Sequence, residues 1–391
     1  GGVYDFRGAE FGDNAFRFGL LCLAAAQICR DRGWLPDVVH VHDWPTAVLP
    51  VLLDAWRKAG TPFGGAASVL TIHNQSYQGY YHPSALAYLG LGPEYFTPDG
   101  LEAWGKLNLL KGGINYADAI TTVSPTYARE ILGEPGGNGL SGYLQKRGED
   151  FSGILNGADY DVWNPENDRQ IPAHYRAESL IGKTLCKHEL QSQLGLAEDA
   201  TSPLFGIVTR LASQKGTGLM RAALPQALAD MKMQLAVLGS GDPDDEAFFR
   251  GLAAAFPGRV GAEIGYSDEL SHRIQAGADF FLMPSLFEPC GLSQLYALRY
   301  GSLPVVHATG GLEDTIEQYN EGEGTGTGFK FYAPTAPAFR EAIAWAAGTW
   351  HARPSHVTMM REQAMKVRFD WETSAKRYVD VYRRALAKRR A

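Results

Sequence analysis

Four cysteines among 391 residues are too few for a disulfide framework. They are Cys22, Cys29, Cys186 and Cys290, and none of them forms a Cys-x-x-Cys pair or belongs to a pattern of His ligands. The sequence therefore predicts neither structural disulfides nor a zinc site. We expect a protein of a reducing compartment, the cytoplasm.

Long apolar runs and clustered positive charge are missing as well. No run approaches the roughly 20 residues of a membrane span, and the first residues lack the basic and apolar regions of a signal peptide. Acidic residues (43) outnumber basic ones (36), which gives a net charge of -7. We therefore expect neither a membrane nor a nucleic acid as partner. A mildly acidic surface is compatible with a neutral polymer.

Short apolar runs alternate with longer amphipathic stretches, which is typical of repeated βα units and a parallel sheet. The sequence predicts an α/β fold with two Rossmann-like, doubly wound domains that face a cleft, residues 1–155 and 156–368. A last amphipathic helix is predicted over residues 366–390, and residues 369–391 are expected to pack back toward the first domain. The predicted strands cover residues 37–42, 67–74, 118–124, 204–210, 233–240, 261–266, 278–285 and 302–309.

Arg210 and Lys215 lie five residues apart, between a predicted strand and a predicted helix. A diphosphate that no metal screens needs this combination, because Arg binds two oxygens, Lys supplies a point charge and the helix dipole adds to both. Each charge-assisted hydrogen bond contributes roughly 1.5–3 kcal/mol. The segment therefore indicates phosphate binding, and the alternative is a solvated loop with two ordinary surface cations.

Two further strand-to-helix turns carry candidate groups. Glu288 precedes a Pro and a Gly-rich helix start, so its carboxylate is expected to point into the cleft and the backbone amides that follow can meet an anion or sugar hydroxyls. The alternative for Glu288 is a first-turn acid that complements the helix dipole. Gly310 and Gly311 allow a phosphate to approach the backbone, although such a pair is often only a tight turn.

Histidines and aromatic residues mark the first half of the chain. Alternation along a strand puts His40 and His42 on the same side. This pair could bind a metal, but no third ligand is apparent nearby, and a structural role is the alternative for each. His73, at the end of the next strand, has the same ambiguity. Sugar rings stack on aromatics such as those of residues 77–81, for which core packing is the alternative.

A series of blocks in the chain resembles bacterial glycogen synthases and plant starch synthases, in family order and at family spacing. These blocks are HVHDW, TIHNQSYQGYY, LLKGGINYADAITTVSPTYARE, GILNGADYDVWNP, VTRLASQKG, LGSGDP, IGYSDELSHRIQAGADFFLMPS, FEPCGLSQLYALRYGSLPVV and TGGLEDT. The resemblance implies the two-Rossmann glycosyltransferase fold (GT-B) and transfer of glucose, with retention, from ADP-glucose to the non-reducing end of an α-1,4-glucan. It also implies that no metal and no cofactor take part, since ADP-glucose is a substrate.

The same resemblance implies catalytic roles for four residues. Arg210 and Lys215 should hold the donor diphosphate and offset the charge of the departing ADP, and we expect both on an exposed turn. Glu288 should contact the donor glucose. His42 should lie across the cleft near the reacting sugar.

Eight further residues are implied in binding the donor. Tyr266 should stack against the adenine, Asn156 should lie near the interdomain hinge, and the other residues should line the phosphate and sugar side of the site. Those other residues are Cys290, Gly291, Leu292, Thr309, Gly310 and Gly311.

The chain also departs from the family pattern. The family opens with a strand and a Lys-x-Gly-Gly-Leu loop that reaches the donor, whereas the similar segment Leu110–Ile114 belongs to a different block. We therefore expect that the chain lacks the N-terminal quarter of the family pattern, that its first domain is incomplete, and that it is inactive or weakly active as a fragment.

Three single positions also differ from related enzymes. Tyr296 stands where the wider superfamily has a second Glu, a substitution that bacterial glycogen synthases share. Leu286 and Ala308 stand where relatives often have Arg, which bears on nucleotide preference. The alternatives are a related retaining enzyme that uses UDP-glucose and a non-catalytic protein that binds glucan or nucleotide.

Overall fold

The computed structural model describes residues 2–6 and 9–390. The chain divides into two compact units, one formed by residues up to 155 together with those from 373 onward, the other by residues 156–372. The strands of the first unit are β1 (Asp5–Phe6), β2 (Ala9–Glu10), β3 (Val38–His42), β4 (Ala67–Ile72), β5 (Tyr80–Tyr81), β6 (Glu102–Ala103), β7 (Lys106–Asn108), β8 (Ala119–Thr122) and β9 (Phe151–Gly153). Its first helices are α1 (Asn14–Asp31), α2 (Asp43–Thr46), α3 (Leu49–Lys58), α4 (Ala85–Leu89), α5 (Leu109–Tyr116), α6 (Pro125–Glu130) and α7 (Ser141–Gln145).

The second unit alternates strands and helices more regularly. Its strands are β10 (Leu204–Leu211), β11 (Gln234–Gly241), β12 (Val260–Ile264), β13 (Phe280–Met283), β14 (Leu303–His307) and β15 (Phe329–Phe331). Its helices are α8 (Ile181–Gln193), α9 (Thr217–Asp230), α10 (Pro243–Ala255), α11 (Asp268–Gly277), α12 (Ser293–Arg299), α13 (Gly310–Thr315), α14 (Ala336–Ala352) and α15 (Pro354–Lys366). The last helix, α16 (Trp371–Arg390), runs into the first unit.

A four-stranded parallel sheet in the order β3-β4-β8-β9 forms the centre of the first unit. Every residue of β4 is buried, as expected for a parallel strand that is covered on both faces. Helix α16 covers part of one face, where Tyr378, Val381 and Ala385 pack with Ala67 and Val69. Two small antiparallel sheets, β1-β2 and β5-β7-β6, complete this unit.

The second unit is built on a six-stranded sheet in the order β12-β11-β10-β13-β14-β15. All its strand pairs are parallel, so the carboxyl ends of its strands meet at one edge. The strand order reverses between β10 and β13, and ligands of such sheets bind at this switch point. The loops after β10, β13 and β14 are therefore the place where a ligand site is expected.

Local signals explain where several helices begin. Ser124, predicted to cap a helix whose first residue is a proline, accepts a hydrogen bond from the Tyr127 amide at 2.9 Å, which confirms this prediction. Asn108 caps α5 in the same way through the Lys111 amide, and Asp242 caps α10 through two amides. None of the helices in the described ranges is long and apolar enough to cross a membrane.

Two details of the predicted elements are wrong. The last helix does not begin at residue 366, because the chain becomes extended at Val367 and the Ala158 amide then binds the Phe369 carbonyl at 2.7 Å. A new helix starts only at Trp371. Sequence reasoning also missed β9 and β15, which are three residues long and carry no periodic signal of their own.

Candidate functional site

The loop after β10 carries the two predicted phosphate-binding cations. Arg210 is the last residue but one of the strand, its side chain is exposed, and no carboxylate of the described residues forms an ion pair with it. Lys215 follows in a short 3-10 turn (Ser213–Lys215), just before α9 begins at Thr217. Both cations therefore lie beside the N-terminus of a 14-residue helix, where backbone amides favour an anion.

Lys215 is not on an exposed turn, which corrects the expectation for this residue. Its ammonium lies 2.6 Å from Oε2 of Glu288, and the two side chains are only 19% and 6% exposed. The loop after β13 folds over the loop after β10, because the Leu286 amide donates to the Gln214 carbonyl at 2.9 Å. Lys215 is thus half-buried against a carboxylate that is 73 residues away in the sequence.

Glu288 is held at one oxygen and open at the other. Its Oε2 accepts hydrogen bonds from Lys215 and from the Ser285 hydroxyl at 2.9 Å. No described residue donates a hydrogen bond to Oε1. One carboxylate oxygen is therefore available to a hydroxyl of a ligand.

Glycines let the three loops approach each other closely. Gly216 has φ +75°, and a Cβ there would lie 2.0 Å from the Pro284 carbonyl oxygen. Gly310 has φ +46°, and a Cβ there would lie 2.0 Å from the Glu288 carbonyl oxygen. The Gly311 amide donates to that same carbonyl at 3.0 Å. Only glycine fits these contacts, which are what bring the loops after β10, β13 and β14 together.

The donor-binding residues suggested by the family pattern differ in exposure. Cys290 is buried, and burial raises the pKa of its thiol to about 12, so it contributes backbone rather than a reactive thiolate. Leu292 is exposed at the start of α12, whereas Thr309 is buried at the start of α13. Gly291 lies between them with φ +71°. Asn156 is half-buried, and its Oδ1 has no hydrogen-bond partner among the described residues.

A pocket of about 230 Å³ lies next to Arg210 and is lined by Tyr266. Its other walls come from the ends of β10 and β11, including Val208, Leu238 and Gly239. The Tyr266 side chain is 89% exposed, so one flat ring is presented to solvent at the rim. A ring of this kind is suited to stacking on a planar ligand.

Tyr296, which replaces the second Glu of the wider superfamily, is part of an aromatic stack. The Trp163 ring lies between Tyr296, at 4.0 Å, and His272, at 3.7 Å. The His272 Nδ1 in turn lies 2.7 Å from Asp168 Oδ2. Tyr296 therefore packs the segment that contains Trp163 against α11 and α12.

The first unit holds a separate cluster of three histidines. His40 and His42 lie on the same side of β3, as predicted, with ring centroids 4.3 Å apart. The His42 Nδ1 lies 3.0 Å from His73 Nε2, because β3 pairs with β4 and both histidines follow from that pairing. Asp43, at φ +52°, accepts hydrogen bonds from the backbone amides of His73 and Asn74.

These histidines are held in the neutral form. Burial, together with the neighbouring His42 and His73, lowers the pKa of His40 to about 4. Burial also lowers the pKa of His73, and burial and His73 lower that of His42, with Asp43 opposing. His40 also contacts Thr71 Oγ1 at 2.6 Å and Tyr382 OH at 2.9 Å. The cluster can accept or pass a proton but carries little positive charge near pH 7.

No group of three His, Cys, Asp or Glu side chains within residues 2–6 and 9–390 has the geometry to hold a metal ion. His40, His42 and His73 are thus a hydrogen-bonded cluster rather than a metal-binding group.

Comparisons with known proteins agree along the whole chain. Residues 1–146 match the starch synthase catalytic domain, and residues 192–364 match the glycosyl transferases of group 1. Glycogen synthase 1 of Geobacter sulfurreducens is 46% identical over 388 residues, which cover 99% of this chain and 77% of that protein. The glycogen synthase of Treponema denticola is 43% identical, over 97% of this chain and 78% of its own length. This chain belongs to the glycogen synthase family.

A solved structure supports the same conclusion. The catalytic domain of starch synthase IV from Arabidopsis thaliana has a TM-score of 0.90 and 35% identity, over 98% of this chain and 80% of that domain. The predicted GT-B architecture is confirmed by this match. As a member of the glycogen synthase family, the protein is a glycosyltransferase enzyme of glycogen synthesis.

Sequence reasoning missed two partners in these sites. Ser285 ends the segment after β13, and nothing in the sequence shows that its hydroxyl binds Glu288. His73 was noted but not connected with His42. The usable signal was that both histidines end consecutive parallel strands, which places them side by side.

Proposed function

We propose that this chain transfers glucose from ADP-glucose to the non-reducing end of an α-1,4-glucan, with retention of configuration and without a metal ion. The observation that carries the proposal is the loop after β10, in which Arg210 and Lys215 flank the start of α9. Two cations and a helix N-terminus supply the charge that a departing nucleoside diphosphate needs. The Arabidopsis starch synthase IV domain was solved with ADP and acarbose, which supports ADP as the nucleotide.

The two cations have different tasks in this proposal. Arg210 has no partner carboxylate in the described chain, so its guanidinium is available to the diphosphate. Lys215 is already paired with Glu288, which fixes the position of its ammonium before the donor arrives. A positioned charge stabilises a transition state without the cost of reorganisation.

Glu288 contacts the donor glucose through its open oxygen. Oε2 is occupied by Lys215 and Ser285, so Oε1 accepts a hydrogen bond from a sugar hydroxyl. The carboxylate does not need to attack the sugar, because its charge is already matched by Lys215. This arrangement suits orientation of the glucose rather than a covalent intermediate.

The transfer proceeds on one face of the sugar. The bond between glucose C1 and the diphosphate oxygen breaks, and the 4-hydroxyl oxygen of the acceptor forms the new bond to C1 from the same side. The hydroxyl proton passes to the leaving phosphate oxygen. Leaving and entering groups thus share one face, which retains the configuration.

The remaining residues bind and orient. Tyr266 stacks on the adenine at the rim of the pocket next to Arg210. His42 accepts a hydrogen bond from the reacting sugar, which the neutral state of its cluster favours. The donor is further lined by backbone groups and side chains of Asn156, Cys290, Gly291, Leu292, Thr309, Gly310 and Gly311.

The test is transfer of radiolabelled glucose to glycogen from ADP-glucose and, in parallel, from UDP-glucose. We expect incorporation from ADP-glucose at a rate at least about tenfold higher, and labelled product that an α-1,4-specific glucosidase releases. A preference for UDP-glucose would contradict the assignment of the nucleotide and support the related UDP-glucose enzyme. Binding of ADP and glycogen without any transfer would support the non-catalytic alternative.

Glu288→Gln sharpens the test. The variant keeps the size of the side chain but removes the charge that Lys215 contacts, so we expect loss of transfer with retained ADP binding in calorimetry. Glu269→Gln is the matched control, because Glu269 also pairs with a cation, Arg273, but on the exposed surface of α11. Full activity of Glu288→Gln would overturn the role of this carboxylate.

A further inference from the structure

Trp104 is the most exposed large apolar side chain of the described residues. Its exposed fraction is 90%, whereas most tryptophans of folded proteins bury the greater part of their area. An indole has a large apolar area, so leaving it in water forgoes a substantial hydrophobic gain. This exposure calls for an explanation that the transfer site does not supply, since the β5-β7-β6 sheet carries none of the residues that we assign to transfer.

The backbone at Trp104 is also unfavourable for this residue type. Ala103 pairs with Lys106, so Trp104 and Gly105 form a two-residue hairpin loop. Both have positive φ, +55° and +74°, the pattern of a type I′ turn. Asn-Gly is the preferred pair for this turn, and a bulky residue at positive φ is strained. A tryptophan here serves something other than the stability of the turn.

The hairpin that carries Trp104 is firmly attached to the first unit. The Gly105 amide donates to Glu102 Oε1 at 2.8 Å, which ties the loop to its own strand. The Glu102 carbonyl accepts a hydrogen bond from the Lys111 ammonium, and Lys111 is buried. The indole is therefore displayed on a fixed base, so that little side-chain and backbone freedom is lost when a ligand binds.

The ligand that suits this surface is a sugar chain. The indole offers a flat apolar face, next to the exposed side chain of Lys106 and the half-buried Glu102, and pyranose rings have an apolar C–H face with hydroxyls at the edge. The net charge of -7 disfavours a nucleic acid as the stacking partner. An α-glucan is the polymer that this protein already handles, if the proposed function holds.

We propose that Trp104 is a second glucan-binding site, on which a glucose unit of a polymeric acceptor stacks. The inference rests on the proposed function for the identity of the polymer. A glycogen particle held at Trp104 presents its other chain ends at high local concentration, so a weak contact lowers the KM for glycogen. Aromatic stacking of this kind predicts a three- to tenfold effect. A short oligosaccharide gains nothing from such tethering.

The experiment compares Trp104→Ala and Trp104→Asn with the unchanged protein and with Trp34→Ala. Trp34 is the matched control, because it is also an exposed tryptophan of the first unit, 61% exposed, but lies outside any hairpin turn. The measurements are mobility in gels that contain glycogen, KM and kcat with ADP-glucose for glycogen and for maltotetraose, and the melting temperature. Trp104→Asn introduces the preferred Asn-Gly turn, so it separates loss of fold from loss of binding.

We expect both Trp104 variants to lose retardation by glycogen and to raise the KM for glycogen three- to tenfold, with kcat and the maltotetraose kinetics unchanged. Trp104→Asn should melt at the same temperature as the unchanged protein or higher. Equal glycogen KM values in all variants would overturn the inference, as would a drop in melting temperature of both Trp104 variants that accounts for the loss. A change of elution volume on gel filtration would instead assign Trp104 to contact between copies of the chain. No transfer to maltotetraose by the unchanged protein would contradict the proposed function itself, whereas glycogen retardation tests Trp104 independently.

Discussion

The loops of the second unit and the histidine cluster of the first unit are two different ways to build a site at the carboxyl ends of parallel strands. In the second unit, charge is concentrated, since Lys215 and Glu288 form a half-buried ion pair and Arg210 stands unpaired beside them among the described residues. In the first unit, charge is suppressed, since burial and mutual repulsion lower the pKa values of His40 and His42. The comparison indicates that the diphosphate belongs to the second unit, whereas the first unit offers neutral hydrogen-bonding groups to a neutral sugar.

Removing the charges of the second unit is expected to have the largest effect. Arg210→Ala and Lys215→Ala should each reduce transfer at least about 100-fold, because each removes a positive charge at the leaving phosphate. The two variants should differ in stability, since only Lys215→Ala leaves the buried carboxylate of Glu288 without a cation. The measurements are kcat/KM with ADP-glucose and the melting temperature, which should fall for Lys215→Ala alone.

Arg221→Ala is the control for this prediction. Arg221 lies on α9, the helix that follows the cationic loop, and is exposed with only a long contact of 3.5 Å to Asp245. Its loss should change neither rate nor stability appreciably. Near-normal rates in either Arg210→Ala or Lys215→Ala would contradict the assignment of the loop to phosphate binding.

The close approach of the loops should make one glycine of the second unit far more sensitive than its neighbour. In Gly216→Ala the new Cβ meets the Pro284 carbonyl at 2.0 Å, and φ +75° by itself costs about 1–2 kcal/mol for a non-glycine residue. Gly218→Ala, two residues later in α9, has no atom within 4 Å of its Cβ and should gain about 0.5–1 kcal/mol of helix stability. Urea denaturation measures both free energies of unfolding. Equal values for the two variants would mean that the loops are not packed as described.

The suppressed charge of the first unit predicts a dependence of stability on pH. The folded state holds the pKa of His40 near 4, below its ordinary value of 6.5, so the unfolded chain binds more protons between these values. The free energy of unfolding therefore keeps its full contribution from His40 above pH 6.5 and loses it as the pH falls toward 4. Urea denaturation between pH 7.5 and 4.5, in the natural protein and in His40→Gln, measures this loss.

His188→Gln is the control, because His188 is exposed and paired with Glu198 on the surface of α8. The His40→Gln variant should lose less stability than the natural protein over the acidic range, whereas His188→Gln should follow the natural protein. Parallel curves for all three proteins would show that the histidine cluster is not held neutral by the fold.

Chelation should have the smallest effect. The proposal assigns the diphosphate to Arg210 and Lys215, and the described part of the chain holds no group of three metal-ligating side chains. Transfer in the presence of EDTA should therefore stay within about twofold of the untreated rate. A large loss that Mg²⁺ restores would mean that a cation bridges the diphosphate, and the contrast between a charged and a neutral region would need revision.

The glycine positions show how far local sequence reasoning reaches. Gly310 and Gly311 were predicted to form a turn that brings the backbone near a ligand, which pattern alone supports because glycine tolerates positive φ. That their nearest contacts are the carbonyl groups of Glu288 and Cys290 is visible only in the structure. The reason is that contacts between loops depend on the order of strands in the sheet, and β14 lies beside β13 only after the sheet has formed.

The sequence by itself determined the alternation of strands and helices, the position of the candidate residues at strand ends, and the family. These properties follow from periodicity, from capping residues such as Ser124, and from motifs that are contiguous in the chain. Tertiary structure alone decided that Lys215 is paired rather than exposed, that His73 is the partner of His42, and that Trp104 stands in solvent on a strained turn. Burial, ionic pairing and pKa depend on groups that are distant in sequence, and only the folded chain brings them within a few ångströms of each other.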